Sequence, residues 1–293
     1  MIDVGHILRI DADLTEKYIK TVFDSGLCGD TVLREASEYS VLGGGKRIRA
    51  ALVIEFCRMF GGNDAQSVPF AAAIEMIHAF SLVHDDMPCM DNDDMRRGKP
   101  STHKAYGEAE GLLCGDELFC LAFEVMAMNE NVPATTVKRA VREFARCAGA
   151  LGMMGGQHYD LCETPKTWDE LVRLHRMKTG ALIAASCLNG YYAACAEPDG
   201  SVCERIKTYA YNVGLAFQIT DDILDVTADE KTLGKPVGSD ERNGKVTSLT
   251  FMTIDEARAE ASRLTREAKE AISGFVASET LCDLADYLLS RVF

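Results

Sequence analysis

The stretch that most constrains the fold runs from Leu82 to Pro100 and reads LVHDDMPCMDNDDMRRGKP. It follows a strongly apolar run with helical character, and Pro88 ends or kinks that helix. Asp85, Asp86 and Asp91 therefore converge at a helix end in the pattern DDxxxxD. Crowded carboxylates repel one another unless a cation lies among them. Carboxylates without Cys or His partners favour Mg²⁺ over Zn²⁺.

Two arginines, Arg96 and Arg97, follow shortly after these aspartates. Their planar guanidinium groups suit phosphate. The alternative is an acidic surface loop whose charges are merely solvated. A second cluster, Asp221-Asp222-Ile223-Leu224-Asp225, favours the functional interpretation. With Gln218 it forms one polar stripe at i, i+3, i+4 and i+7 of a long amphipathic helix, where the carboxylates would repel without a cation.

Charge and cysteine content exclude several classes of protein. The formal charge of −14 argues against nucleic acid as a partner, because binding a polyanion needs a basic surface. Eleven cysteines without a CxxC pair indicate neither a disulfide framework nor a zinc site, so we expect a reducing, cytoplasmic location. The start of the chain lacks the pattern of a signal peptide, and the uncharged run Thr179 to Ala196 is interpreted as a buried core helix. We therefore expect no stable membrane insertion.

Helical periodicity runs through the whole sequence, and no stretch shows convincing strand alternation. No segment is marked as a linker. The sequence therefore predicts an all-α fold with a single domain over residues 1–293.

Cations occur at helix starts and breaks elsewhere in the chain. Gly43 to Gly45 form a glycine loop before Lys46, Arg47 and Arg49, and a helix is predicted to begin near Ile48, which suits an anion. In isolation the pattern equally describes a surface turn. Two further elements have the same ambiguity, namely Lys178-Thr179-Gly180 after a capping box at Thr167, and Lys235 with Lys245 in a Gly-rich polar loop.

These elements, in this order from about Gly43 to Thr247, resemble the trans-isoprenyl diphosphate synthases, and most closely the bacterial-type farnesyl diphosphate synthases. The resemblance implies a large antiparallel helical bundle, normally a homodimer, in which the two aspartate motifs face each other across a central cavity. It implies head-to-tail prenyl transfer from an allylic diphosphate to isopentenyl diphosphate. It also implies about three Mg²⁺ ions per site. Such ions are usually held by a few carboxylates together with substrate phosphates.

The resemblance also assigns roles. Metal binding falls to Asp85, Asp86, Asp91, Asp221, Asp222 and Asp225. Arg96, Lys178 and Lys235 would join the metal ions held by these aspartates in stabilising the departing diphosphate. Substrate binding falls to Lys46, Arg49, His78, Arg96, Arg97, Lys178, Thr179, Gln218, Lys235 and Lys245, the last part of a loop at 235–247 that closes on substrate. The resemblance also gives Gln157 and Asp160 a supporting role toward metal and diphosphate, for which core hydrogen bonding is the alternative. For His78, on a helix predicted over Val68 to Met87, core packing is the alternative.

Product length is predicted from Phe80 and Ser81. Phe80 precedes Asp85 by five residues, about 7 Å along a helix axis at about 1.5 Å per residue. A ring at that depth would close the cavity floor and stop elongation, unless Phe80 is simply core packing. In the resembled family an aromatic residue here, together with the two residues inserted in DDxxxxD, accompanies farnesyl products, so the resemblance implies farnesyl diphosphate. Geranylgeranyl or geranyl diphosphate is the alternative product.

Three other classes of protein share some of these sequence features. A terpene cyclase would carry an NSE-type second motif in place of DDILD, and a non-catalytic subunit would tolerate loss of an aspartate motif, whereas both motifs are whole. A calcium-binding loop is suggested by DNDD, but Met95 and Arg96 stand where an EF-hand needs a ligand and a glycine.

Overall fold

The computed structural model describes residues 3–29, 31–227 and 245–290. Helices make up 76% of the structure, and the strands in these ranges are two residues long, so the all-α prediction is confirmed. The chain divides into two compact units. The N-terminal unit comprises Gly5–Val141 and Tyr192–Ala196, and the C-terminal unit comprises Met1–Val4, Arg142–Tyr191 and Glu197–Phe293. The single domain stays a prediction.

The elements follow one another with short connections. In the first half of the chain they are α1 (Val4–Asp24), α2 (Val32–Val41), α3 (Ile48–Met59), α4 (Asp64–Asp85), β1 (Met95–Arg96), β2 (Lys99–Pro100), α5 (Thr102–Tyr106), α6 (Glu108–Ala127) and α7 (Ala134–Ala148). In the second half they are α8 (Met153–Cys162), α9 (Trp168–His175), a π-helical turn (Arg176–Gly180), α10 (Ala181–Ala194), α11 (Gly200–Thr227), a 3₁₀ turn (Ser248–Thr250), α12 (Ile254–Ile272) and α13 (Glu279–Leu289).

Helix α4 is the core of the N-terminal unit and packs against α3 and α6. Its side chains are apolar nearly all round and mostly buried, as expected for a central helix. It begins at Asp64, earlier than the predicted Val68, because Asn63 and Gln66 form a reciprocal capping box. Pro69 therefore lies beyond the first turn.

The C-terminal end of α4 comes at Asp85, two residues before the predicted end. Beyond Pro88 the chain folds back, so that the Asp91 N–H donates to the Asp85 carbonyl at 2.8 Å. The predicted convergence of these aspartates at a helix end is therefore present in the backbone.

A hairpin of two short strands, each of two residues, follows, and the sequence pattern did not predict it. Met95 pairs with Pro100 and Arg96 with Lys99, and the connecting residues Arg97 and Gly98 both have positive φ, 53° and 77°. Two successive positive φ angles are the requirement of a type I′ turn. The hairpin fixes the two arginines beside the end of α4.

In the C-terminal unit α11 packs against α12 through a buried cluster. Its members are Leu215, Ala216, Ile219, Ile223, Ala257, Ala261 and Leu264. Helix α11 continues to Thr227, as the sequence pattern predicted, so Gln218 and the second aspartate cluster share one stripe.

The sequence permits a local break at Gly180, and the structure has a π-helical turn there instead of a helix end. Helices α9 and α10 are joined by a π-helical turn over Arg176–Gly180, and backbone dihedrals on both sides remain helical. π-Turns insert a residue into a helix and re-aim the neighbouring side chains.

The apolar run at the end of this helix is a buried core helix, as predicted, because Ala181 to Ala193 are all buried. Among the described residues α4 alone is long and apolar enough to span a membrane, and 78% of the relevant window is buried inside the fold.

Candidate functional site

The glycine loop before α3 is closed by the arginine at the tip of the hairpin. The Arg97 guanidinium donates to the Gly44 carbonyl and lies directly over Gly45. Gly45 has φ 118°, a backbone conformation that favours glycine, and a Cβ atom there would be 2.8 Å from Arg97 Cζ, so the guanidinium would have to shift. Lys46, the next residue, is exposed at the mouth of this loop.

Arg49 and His78 meet behind the glycine loop. One Arg49 terminal nitrogen lies 3.4 Å from His78 Nε2. Because guanidinium only donates, Nε2 accepts and the ring proton belongs on Nδ1. Burial lowers the pKa of His78 well below its ordinary value, and the Arg49 and Arg97 cations lower it further. The histidine is therefore neutral at pH 7, among cations that suit an anion.

Two residues that organise this loop were not assigned a role from the sequence. Arg47 is buried with a left-handed backbone, φ 50°, and its side chain donates to Glu16, Glu75 and the Val41 carbonyl. Glu75 is 2% exposed and also accepts the Ala50 N–H. The signal was present in the sequence, because a lone glutamate in the apolar run of α4 must find a buried partner.

The first aspartate cluster lies beside the hairpin. Asp86 is 2% exposed and accepts both Nε and a terminal nitrogen of Arg96. Burial raises the pKa of Asp86, and the Arg96 guanidinium opposes that rise. Arg96 was predicted to bind phosphate; here it holds a carboxylate predicted to bind metal. Asp85 is half-buried and Asp91 is exposed.

The donor set fits Mg²⁺. No three His, Cys, Asp or Glu side chains within the described ranges converge closely enough to hold a metal alone. Mg²⁺ does not require such a cage, because it keeps several waters and is usually bound by one or two carboxylates plus substrate phosphates. Asp85 and Asp86 at one helix end provide hard oxygen donors of that kind.

In the C-terminal unit the π-turn presents Lys178 and Thr179. Lys178 forms an ion pair with Asp160 of α8 at 2.5 Å, and the Thr179 hydroxyl donates to Gln218 Oε1 at 2.5 Å. Helix α8 approaches this turn very closely, because a Cβ at Gly156 would be 2.2 Å from the Lys178 nitrogen. Gln157 has both amide atoms buried without a hydrogen-bond partner in the described residues.

The exposure of the aspartates in the second cluster decreases along α11. Asp221 is half-buried, Asp222 is 8% exposed and Asp225 is 2% exposed. Asp222 Oδ2 accepts the Ser248 N–H at 2.7 Å, which ties α11 to the 3₁₀ turn. Lys245 is exposed three residues earlier, whereas Lys235 and most of the predicted closing loop lie outside the described residues.

Phe80 lies where the sequence placed it, on α4 below Asp85. Its ring is 8% exposed and packs edge-on against Phe119 of α6 at 5.3 Å and against His84 at 4.9 Å. Ser81 is half-buried, and its hydroxyl donates to the His78 carbonyl. The aromatic cluster continues from Phe119 to Phe123.

Known proteins are similar to this chain over most of its length. The polyprenyl synthetase family profile matches residues 30–276. A chloroplastic geranylgeranyl pyrophosphate synthase of Catharanthus roseus is 40% identical over 88% of this chain and 74% of its own. A geranylgeranyl diphosphate synthase of Cyanophora paradoxa is 41% identical over 89% and 88%.

A solved structure extends the likeness to the fold. The apo crystal structure of an FPP/GFPP synthase from Zymomonas mobilis superposes with a TM-score of 0.84 and 33% identity, covering 97% of this chain and 99% of that one. Such structures have the isoprenoid synthase fold. With the family profile spanning most of the sequence, the chain belongs to the polyprenyl synthetase family of trans-prenyl diphosphate synthases.

Proposed function

We propose that this prenyltransferase condenses isopentenyl diphosphate with allylic diphosphates head to tail and releases geranylgeranyl diphosphate. The observation that carries the proposal is the cation-lined loop formed by Gly45, Arg97, Arg49 and His78, beside the two aspartates that end α4. An anion site next to hard oxygen donors is what a metal-assisted diphosphate reaction needs.

In the N-terminal unit the residues would act by binding and orientation. Lys46, Arg49 and Arg97 would hold the diphosphate of isopentenyl diphosphate, with His78 as a neutral donor from Nδ1 or a partner of Arg49. Fixing the diphosphate positions the distant double bond for attack on the allylic carbon. Arg96 would exchange its carboxylate partner, Asp86, for phosphate oxygens of the allylic substrate.

In the C-terminal unit Lys178, Thr179 and Gln218 would contact the allylic diphosphate, together with Lys235 and Lys245 when substrate is bound. Mg²⁺ held by Asp85, Asp86, Asp91, Asp221, Asp222 and Asp225, about three ions per site, would supply charge that stabilises the leaving diphosphate. The cationic side chains share that stabilisation as the allylic carbon–oxygen bond breaks.

The names of the relatives favour the twenty-carbon product, because both relatives quoted above are called geranylgeranyl synthases. The farnesyl product predicted from the sequence is not confirmed. It remains the second candidate on one observation, the Phe80 ring packed edge-on against Phe119, about 7 Å below Asp85 at about 1.5 Å per residue.

One assay separates these products and tests the activity. Purified protein is incubated with isopentenyl diphosphate, Mg²⁺ and dimethylallyl, geranyl or farnesyl diphosphate, and the dephosphorylated products are chromatographed. Conversion of farnesyl diphosphate to the twenty-carbon product supports the proposal. Accumulation of the fifteen-carbon product from geranyl diphosphate, with longer chains from Phe80→Ala, supports a Phe80 floor instead.

The metal assignment has a matched control. Asp85→Ala and Asp221→Ala should lower turnover by orders of magnitude with unchanged circular dichroism, because each removes a proposed ligand rather than packing. Asp116→Ala changes a neighbouring exposed carboxylate of α6 that is outside the proposed site. Near-normal turnover in folded Asp85→Ala or Asp221→Ala would remove the assignment.

We also propose a homodimer in the cytoplasm. Helix α6 and its end expose three large apolar side chains, Leu112 and Leu113 at 49% each and Met128 at 53%, which a second copy would cover. All eleven cysteines are free thiols, in keeping with a reducing compartment. Analytical ultracentrifugation of Leu113→Glu should show dissociation, while Val276→Glu, a change at an apolar residue that is more exposed still at 88%, should leave the wild-type mass.

A further inference from the structure

Helix α3 begins without a cap of its own. Its N-cap residue is Arg47, whose side chain has only donors and so cannot accept the amides of the first turn. Helices normally meet this need with a Ser, Thr, Asp or Asn at the N-cap, which accepts the N–H of the second or third residue. The third residue of α3 is Ala50.

The missing acceptor comes from α4. Glu75 Oε1 accepts the Ala50 N–H at 3.1 Å, and the second oxygen accepts from Arg47 at 3.4 Å. A carboxylate at a helix N-terminus also interacts favourably with the helix dipole. Glu75 thus caps α3 from a neighbouring helix and anchors its N-cap residue with one side chain.

This arrangement adjoins the glycine loop that precedes α3. Arg47 is held between Lys46 and Arg49 in sequence, and Glu75 lies one turn before His78, the contact of Arg49. Arg47 itself is buried and bonded to Glu16, Glu75 and the Val41 carbonyl, so it is not available to a ligand. The direction in which Lys46 and Arg49 leave the backbone is therefore set by how this corner is fixed.

We infer that Glu75 is a positioning residue for the isopentenyl diphosphate site, acting through the start of α3 on Lys46 and Arg49. The inference rests on the proposed function for the identity of the anion. Glu75 touches no substrate in this account. Removing the Glu75 carboxylate should displace the Lys46 and Arg49 side chains and weaken the binding of isopentenyl diphosphate. Binding of the allylic substrate should change little.

The test compares Glu75→Gln with Glu55→Gln. Glutamine at 75 keeps the shape and an oxygen for Ala50 but loses the charge that holds Arg47. Glu55 is a matched control, because it is buried on α3 and paired with Arg58, away from the loop. We expect KM for isopentenyl diphosphate to rise about tenfold in Glu75→Gln, the scale of one charge-assisted hydrogen bond, and to stay within about twofold in Glu55→Gln.

Two further variants separate this inference from the proposed function. Arg49→Ala should itself raise KM for isopentenyl diphosphate; if it does not, the anion assignment fails. If Arg49→Ala does so but folded Glu75→Gln leaves both Michaelis constants unchanged, the positioning role alone is overturned. Glu75→Asp, which keeps the charge but shortens its reach, is measured in the same way in case Glu75→Gln does not fold.

A double-mutant cycle gives the readout that a purely structural role would not move. If Glu75 acts through Arg49, adding Glu75→Gln to Arg49→Ala should cost less in affinity for isopentenyl diphosphate than Glu75→Gln costs alone. Equal losses in both backgrounds would contradict a route through Arg49.

Discussion

Gly45 has no Cβ atom, and this leaves room for the Arg97 guanidinium against the glycine loop. Gly45→Ala would place a methyl 2.8 Å from the Arg97 guanidinium carbon at a φ that L-residues rarely adopt. We expect KM for isopentenyl diphosphate to rise about tenfold, or about 1.4 kcal/mol, because the guanidinium is displaced. Steady-state kinetics with each substrate varied in turn would measure it.

Gly44→Ala is the control for that prediction. Gly44 also has positive φ, 98°, but a Cβ there meets nothing within 4 Å. It imposes similar backbone strain without the collision. Equal effects of the two substitutions would show that loop conformation, rather than the place of Arg97, controls binding.

At the scale of single residues, the sequence predicted which residues belong to the site better than it predicted their hydrogen-bond partners. Arg97, Arg49 and His78 were assigned to an anion site, and the structure brings all three together. Glu75 was not assigned, because its role is to accept an amide from another helix. Spacing within one helix carries no information on such a contact.

The π-turn is the element whose geometry matters most in the C-terminal unit. Gly156→Ala would put a methyl 2.2 Å from the Lys178 backbone nitrogen, so α8 and the turn must separate. We expect KM for the allylic diphosphate to rise while KM for isopentenyl diphosphate is unchanged. Gly200→Ala, in the first turn of α11 with nothing within 4 Å, should change neither.

A rise in both Michaelis constants in Gly156→Ala would contradict the assignment of Lys178 to the allylic substrate.

The sequence predicted that Lys178 binds substrate and that the helix is locally interrupted at Gly180, but not the kind of interruption. A helical break and an inserted π-turn are compatible with the same residue types, so the sequence pattern does not distinguish them. Likewise the hairpin after α4 was missed, because two-residue strands are too short to alternate.

At the scale of the whole molecule, stability should depend on pH through Asp11. This α1 residue is fully buried, with one oxygen bonded to Arg58 and the other without a hydrogen-bond partner in the described part of the chain. Burial raises the pKa of Asp11 to about 7, against the opposing charge of Arg58. Between its unfolded value near 3.8 and about 7, the folded protein holds a proton that the unfolded chain has lost.

The contribution of Asp11 to stability therefore falls as pH rises from about 4 to 7 and is constant above that. Asp11→Asn removes the titration, so its Tm advantage over wild type should be smallest near pH 4, grow up to pH 7 and then level off. Asp64→Asn removes a more exposed partner of Arg58 and should show no such growth. Calorimetry across this range would decide, and a pH-independent difference for Asp11→Asn would contradict the prediction.

The left-handed backbone of Arg97 also has a consequence for how this protein could change under selection. A non-glycine residue held at φ 53° typically costs about 1–3 kcal/mol, whereas Asn tolerates this region. Selecting a library at position 97 for heat resistance alone should enrich Asn and Gly, and selecting it for prenyl transfer should enrich Arg. Sequencing both pools would reveal the conflict, and Arg in both would mean that its bond to the glycine loop outweighs the strain.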